Sequence, residues 1–201
     1  DLHAQIPRIE AILDAFKVPK VRSEGYEADD VMATLAERCR EEGRGCYVIS
    51  GDKDLLQLVD GPVKVLKPSS KSGLEELDRE GVYEQWQVYP EQILDYLSLV
   101  GDSSDNVPGV SGIGAKTAAK LLNQFGTLDG IYENLDSISS ESRRSKLEEG
   151  RESAYMSREL ITLAYDAPLD LTAEELALGG IDVEGAVPLL EAENMRSVIE
   201  E

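Results

Sequence analysis

Gly101-Asp102-Ser103-Ser104-Asp105-Asn106-Val107-Pro108-Gly109-Val110-Ser111-Gly112-Ile113-Gly114-Ala115-Lys116-Thr117 joins a carboxylate pair to a glycine hairpin that opens a helix. Gly112 and Gly114 can adopt backbone conformations closed to other residues, so the amides of Ile113 and Gly114 are expected to turn outward at a helix N-terminus, where orphan N–H groups favour an anion. Lys116 adds a point charge, Thr117 follows it, and Lys120 lies one helical turn further along the same face. A lone Gly-x-Gly reads equally well as an ordinary helix-entry turn. The neighbouring aspartates and the Lys-Thr pair favour a phosphate cradle instead.

The charge balance sets this stretch apart. Forty acidic and twenty basic residues give a net charge of −20, which argues against generic adhesion to nucleic acid. Yet no Asp or Glu occurs from Asn106 to Leu128, and a second acid-free run, Gly61 to Leu74, carries Lys64, Lys67 and Lys71. Docking of something anionic accounts for both islands. Burial or tight turns that leave no room for acids account equally well for the second.

A chain of 201 residues that is 41% hydrophobic can bury one good core with a small annex. No apolar run is long enough to span a membrane and no signal segment is visible, so the sequence reads as soluble and cytoplasmic. Cys39 and Cys46 match no zinc or redox spacing, and the one histidine, His3, sits at the terminus. That leaves no residues for a His-based triad or a His-ligated zinc, and catalysis must rest on carboxylates.

Apolar spacing predicts helices over Ile6–Phe16, Glu27–Glu42, Pro90–Val100, Gly114–Phe125, Leu128–Asn134, Ser140–Glu149 and Glu152–Ala164, with a last helix near Val183–Glu200 interrupted by Pro188. Cys46–Ser50 and Val63–Leu66 read as strands, Asp52–Val59 as a short helix between them and Ser69–Gly73 as a loop. This order implies an α/β sheet whose ligands gather at the carboxyl ends of the strands, where Asp52 and Asp54 stand.

Three acidic clusters then coincide with element ends: Glu27-Ala28-Asp29-Asp30, Asp52-Lys53-Asp54 and Asp102-Ser103-Ser104-Asp105. Each alone is explained as an N-cap or helix-dipole partner. Together, in a chain without a usable His or Cys site, they fit a binuclear magnesium or manganese centre built from hard oxygen ligands.

These three segments, read from Gly25 and continued through Ser50-Gly51-Asp52-Lys53-Asp54-Leu55-Leu56-Gln57-Leu58 into the Gly101–Thr117 stretch, resemble the successive motifs of the 5′-to-3′ exonuclease domains of bacterial DNA polymerase I, in the flap endonuclease superfamily. The resemblance covers about Ile6 to Leu171. It implies a PIN-like or resolvase-like sheet flanked by helices over residues 1–105, a helix-hairpin-helix DNA-binding subdomain over 106–165, and a C-terminal extension packing on the core over 166–201. It also implies that Glu27, Asp29 and Asp30 help hold a first metal, that Asp52 and Asp54 ligate a second, and that Asp105 supports the second site with Asp102 nearby. The cofactors would be two Mg2+ or Mn2+. The hairpin, through Gly112, Ile113, Gly114, Lys116, Thr117 and Lys120, would grip duplex DNA carrying a 5′ flap or RNA primer, and a potassium ion would sit on the carbonyls of Gly109, Val110 and Ile113. Polymerase domains in the same parent chain are the implied partners.

The family pattern begins with an aspartate-bearing strand, a further ligand aspartate and a basic helical arch, none of which precedes Asp1. The expectation is therefore a nuclease domain incomplete at its N-terminus, weakly active or inactive alone. A non-catalytic duplex-binding module whose acids are structural is the alternative.

Overall fold

The structure, a computed structural model, describes residues 2–70, 73–172 and 174–200. In chain order the described residues form α1 (Leu2–Ala15), α2 (Ala28–Glu41), β1 (Cys46–Ile49), a 3-10 turn (Asp54–Leu58), β2 (Val63–Ser69), β3 (Gly73–Leu77), α3 (Arg79–Trp86), α4 (Ile93–Val100), α5 (Ala115–Phe125), α6 (Leu128–Glu133), α7 (Glu141–Glu149), α8 (Arg151–Ile161), α9 (Val183–Ala192) and α10 (Arg196–Glu200). The chain divides into two compact units, Glu27–Ala167 and a smaller one joining Asp1–Tyr26 to Pro168–Glu201.

In the larger unit, β1 and β2 run parallel, with Val48 opposite Val65. These residues point into the core and the alternate ones, Tyr47 and Ile49, point out, as the period of two requires. β3 pairs antiparallel with β2, from Val65 against Leu77 to Ser69 against Gly73. The expected loop at Ser69–Gly73 is thus the tip of a β-hairpin, and its Lys71 lies outside the described residues. β3 escapes a sequence reading because Gly-Leu-Glu-Glu-Leu is poor in strand formers. It is held from outside: Glu76 pairs with Lys64, and Glu75 accepts a 2.7 Å hydrogen bond from Gln85 on α3. Lys67 lies 5.2 Å from the centre of the Trp86 ring. Lys64 and Lys67 are therefore engaged within the fold, on β3 and on α3, which favours the structural account of that acid-free run.

α4 forms the middle of the larger unit and packs against α5, α6 and α8. Its Ile93, Leu97 and Leu99 are fully buried. Helix α5 turns Ala118, Leu121 and Leu122 inward, the apolar stripe of an amphipathic helix. Gln92 donates to the carbonyls of Leu122 (3.1 Å) and Gly126 (2.9 Å), closing the open end of α5. On the far side, Thr34 of α2 accepts the amide of Ala167 at 3.0 Å.

In the smaller unit α1 packs along α9, which buries Ala186 and Leu190. The amide of Asp182 reaches the carbonyl of Ala15 at 2.9 Å. Pro188 lies within α9, and the helix ends at Ala192 before α10 begins, so the single helix expected over Val183–Glu200 is two. No helix among the described residues is long and apolar enough to cross a membrane.

Candidate functional site

The first acidic cluster caps α2. Asp30 accepts the amide of Glu27 on one oxygen (3.1 Å) and the amide of Ala164, far along the chain, on the other (2.8 Å). Asp29 is half-buried beside it. Burial, and then the charges of Asp52, Glu27, Asp30 and Asp105, push its carboxyl above the usual carboxylate range. Glu27 is exposed at the N-cap position.

The second cluster follows β1. Asp52 donates its amide to Ser50 Oγ at 3.1 Å and accepts the amide of Asp54 on Oδ1 at 3.0 Å, a tight turn that sends Asp54 inward. Asp54 is 9% exposed, and its Oδ1 is buried without a hydrogen-bond partner among the described residues. Burial, then the charges of Asp52, Asp105, Asp102 and Asp29, push its carboxyl up to about 7. Acids from three separate segments of sequence thus act on one carboxyl group.

The third cluster is held by a backbone bridge in which Asp102 and Val107 exchange hydrogen bonds of 2.9 and 2.8 Å. Asp105 stands on the exposed tip of the loop that this bridge closes, next to Asn106 in the left-handed region at φ 57°. Asp102 is buried at the base, accepting the Ser104 amide on Oδ1 (2.9 Å) and the Lys53 amine on Oδ2 (2.6 Å). The Lys53 contact foremost holds the Asp102 carboxyl below its ordinary range. Lys53 is a site residue that the sequence reading passed over, although its position between Asp52 and Asp54 was a visible signal.

Among the described residues no three His, Cys, Asp or Glu side chains converge tightly enough to hold a metal ion by themselves. The donor chemistry nevertheless fits a hard divalent cation: carboxylate oxygens repel one another here, and the buried Asp54 Oδ1 has no proton donor.

The glycine hairpin leads from this loop into α5. At Gly109, φ is +62°, and a Cβ there would lie 2.4 Å from the Gly101 nitrogen, so two backbone strands pass in contact. Gly109 donates its amide to Ser157 Oγ (3.0 Å) and accepts Ser153 Oγ–H on its carbonyl (2.6 Å), tying the loop to α8. The two serines stand one helical turn apart on α8, a spacing that carries no sequence signal.

Two expectations about the cradle need correction. The Ile113 amide does not turn outward: it donates to the Val110 carbonyl at 3.0 Å, and the Ile113 side chain is buried. Gly114 has an ordinary φ of −95° and serves as the N-cap of α5. Gly112, at φ +76°, is the position that demands glycine, because apolar Ile113 must fold inward straight after the turn. Lys116, Thr117 and Lys120 lie in the first two turns of α5, with both lysines exposed. Of the three carbonyls expected to hold potassium, those of Gly109 and Val110 each already accept one hydrogen bond.

Across the loop, the junction of α7 and α8 forms the other wall of a cleft of about 620 Å³ lined by Pro108, Gly109, Ser111, Gly112, Lys146 and Ser153, among others. Lys146 lies along Gly112.

Two family models match in succession: the N-terminal resolvase-like domain of 5′-3′ exonucleases over residues 1–87, and the C-terminal SAM fold of 5′-3′ exonucleases over residues 88–184. The DNA polymerase I of Treponema pallidum is 44% identical over the whole chain, and that of Bacillus caldotenax is 40% identical. The chain spans 20% and 23% of those two relatives, about a fifth of their length. Among solved structures, the T5 D15 protein co-crystallised with metal ions superposes with a TM-score of 0.64 at 23% identity, covering 86% of this chain and 62% of that one. The catalytic core of Rad2 in complex with DNA substrate gives a TM-score of 0.62 at 18% identity, covering 94% of this chain and 64% of its own. At that identity these likenesses show the shared fold.

Proposed function

Because this chain belongs to the 5′-3′ exonuclease family, joining its resolvase-like domain to its SAM fold, we propose that it takes part in metal-dependent hydrolysis of phosphodiester bonds in duplex DNA carrying a 5′ flap or RNA primer, in the cytoplasm and as part of a DNA polymerase I. The carrying observation is the Asp102–Val107 bridge. It closes the loop that bears Asp105, which is felt at Asp54, and it leads within two residues to Gly109, where the hairpin is fixed to α8. One short segment thus sets the spacing between a carboxylate cluster and a duplex grip.

Two Mg2+ or Mn2+ ions, held by Glu27, Asp29, Asp30, Asp52, Asp54 and Asp105, would activate water and neutralise the leaving oxygen. The chain's own part is to pre-arrange the donors. The Asp30 amide bonds fix the start of α2, the Asp52 turn drives Asp54 inward, and Lys53 anchors Asp102. A potassium ion on the carbonyls of Gly109, Val110 and Ile113 would stiffen the hairpin against the duplex.

A second reading, a duplex-binding module with structural acids, is favoured by the commitment of Asp30 and Asp102 to hydrogen bonds inside the fold. Mn2+ titration and 5′-flap cleavage separate the two, using this chain and the longer protein, each with Asp52→Asn and Asp54→Asn. The nuclease reading expects both substitutions to weaken Mn2+ binding and to abolish cleavage by the longer protein. Unchanged Mn2+ binding in both would leave only the duplex-binding module.

A further inference from the structure

We propose that Lys146 of α7 is a further cation of the duplex grip and contacts one backbone phosphate beside Gly112. This rests on the reading of the glycine hairpin as a DNA-binding element and adds to it a residue that lies outside the hairpin sequence.

Three observations carry it. First, the Lys146 side chain runs over Gly112, a hairpin position that has no side chain of its own. A Cβ on Gly112 would lie 2.7 Å from Lys146 Nζ and 3.0 Å from its Cε. The missing Cβ therefore makes room for the lysine as well as permitting the left-handed turn.

Second, the amine is available. Lys146 is exposed, and its amine has no ion pair or hydrogen bond among the described residues. The acid that lines the cleft, Glu149, instead accepts a 2.8 Å hydrogen bond from Ser145. In a chain of net charge −20, an exposed lysine left unpaired beside a stretch without Asp or Glu from Asn106 to Leu128 is a local reversal of sign. Neutralising phosphates with such cations is what drives duplex affinity.

Third, the helix corner that carries the lysine is held in place relative to the hairpin. Gly150, at the junction after α7, lies under Val110 so closely that a Cβ there would fall 2.6 Å from Val110 Cγ1. Ser153 and Ser157, on the next helix, grip both polar atoms of Gly109. The α7–α8 corner and the hairpin are thus one wall and floor. A phosphate seated on the exposed side of Gly112 meets the Lys146 amine there, while Lys116 and Lys120 supply charge from α5. The ligand is a phosphate fixed in a duplex backbone, since charges on two separate helices match a repeating polyanion.

The test is fluorescence anisotropy of this chain with a labelled DNA duplex, titrated across salt concentrations with Ca2+ as the only divalent cation. Lys146→Met is expected to weaken binding roughly fivefold and to flatten the slope of log affinity against log salt by about 0.9, the value for one phosphate contact. Lys146→Arg is expected to keep both near wild type. Lys116→Met serves as the reference within the hairpin. If it flattens the slope while Lys146→Met does not, the Lys146 assignment is overturned and the hairpin reading stands. If neither changes the slope, the hairpin reading falls with it. Inorganic phosphate at matched ionic strength is expected not to compete; selective loss of the Lys146 contribution in phosphate would mark a free-anion site and overturn the proposal. Thermal melts that superpose for wild type and Lys146→Met exclude misfolding, as expected for an exposed side chain. Were the melts to differ, the retained slope of Lys146→Arg against a flattened Lys146→Gln would still isolate the charge.

Discussion

Lys53 Nζ lies 2.6 Å from Asp102 Oδ2, joining the turn after β1 to the loop after α4 across 49 positions of sequence. The Asp102 side chain is 4% exposed and that of Lys53 is 48% exposed, so the carboxylate is fixed and the amine is half in solvent. This charge-assisted contact places a positive charge among carboxylates that otherwise repel one another. It also assigns Asp102 a role different from those of Asp52 and Asp54: both its oxygens are taken within the fold, and it acts on the cluster by holding Lys53.

Lys53→Met leaves Asp102 buried without its cation and removes the positive charge that faces Asp52 and Asp105. Urea unfolding is expected to show a loss of about 1–2 kcal/mol, discounted for the exposed amine. Asp102→Asn alone is expected to cost about as much, and the double substitution less than the sum, because the pair acts as a unit. Strict additivity would show that the contact contributes nothing.

Stability without divalent ions should depend on pH through Asp54. Its carboxyl is pushed up from 3.8 to about 7, so between these values the folded chain holds a proton that the unfolded chain releases. Stability therefore falls as pH rises through that window, by at most about 1.4 kcal/mol per pH unit. Asp54→Asn is expected to remove this slope, and Mn2+ to oppose it by pairing with the ionised form. Asp102 acts with the opposite sign: its lowered carboxyl stabilises the fold at neutral pH and that contribution is lost as pH falls below the ordinary carboxylate range. Urea midpoints measured across pH, with and without Mn2+, check both.

The sequence showed the carboxylate clusters because each lies at an element end, where a short motif marks it. Asp29, Asp52, Asp54 and Asp105 act on one another because the start of α2, the end of β1 and the loop after α4 come together, of which the helix-strand order implied only the strand end that carries Asp52 and Asp54. It did not show β3, whose Glu75 and Glu76 are held by partners on β2 and α3 rather than by their own preference. Nor did it show that the amide of Ile113 turns inward to the Val110 carbonyl: burial of the apolar side chain goes with the turn, and burial depends on tertiary packing that no local motif marks. Lys146, Ser153 and Ser157 were illegible for the same reason, since a polar helix face does not announce which loop it will meet.

Gly109 and Gly114 are expected to respond differently to the same substitution. Gly109→Ala places a Cβ 2.4 Å from the Gly101 nitrogen at a positive φ, a clash between two backbones with no side chain free to move aside. A loss of roughly 3 kcal/mol or more is expected, with weaker duplex binding because the hairpin must shift. Gly114→Ala meets no atom within 4 Å and keeps its φ of −95°. It should cost less than about 1 kcal/mol, the difference between glycine and alanine as N-caps. Equal losses in thermal melts would contradict the geometry described for Gly109.

Arg158 is the cation for the most enclosed acid of the helical part. Asp95, in the first turn of α4 and 5% exposed, accepts the Leu128 amide on Oδ2 at 2.8 Å and faces Arg158 Nε across 3.4 Å on Oδ1. Arg158 is held in turn by Asp129 at 2.9 Å, and Tyr155 donates to the same Asp129 at 2.6 Å. Burial pushes the Asp95 carboxyl upward, while the Leu128 amide and Arg158 pull it back. Arg158→Met removes one of those two restraints, so the folded chain should hold the Asp95 proton to higher pH. Stability should then fall as pH rises above the ordinary carboxylate range, with a loss of about 2–3 kcal/mol at neutral pH, below the 3–5 typical of a fully buried pair because Arg158 is one-third exposed. Asp95→Asn in the Arg158→Met background should remove that pH dependence, since the amide keeps an oxygen for Leu128 and carries no charge. Asp129→Asn, at an exposed partner, should cost less than about 1 kcal/mol. Melting curves across pH for the four proteins decide the matter: if Arg158→Met loses no more than Asp129→Asn, the cation is serving the surface acid and not the buried one.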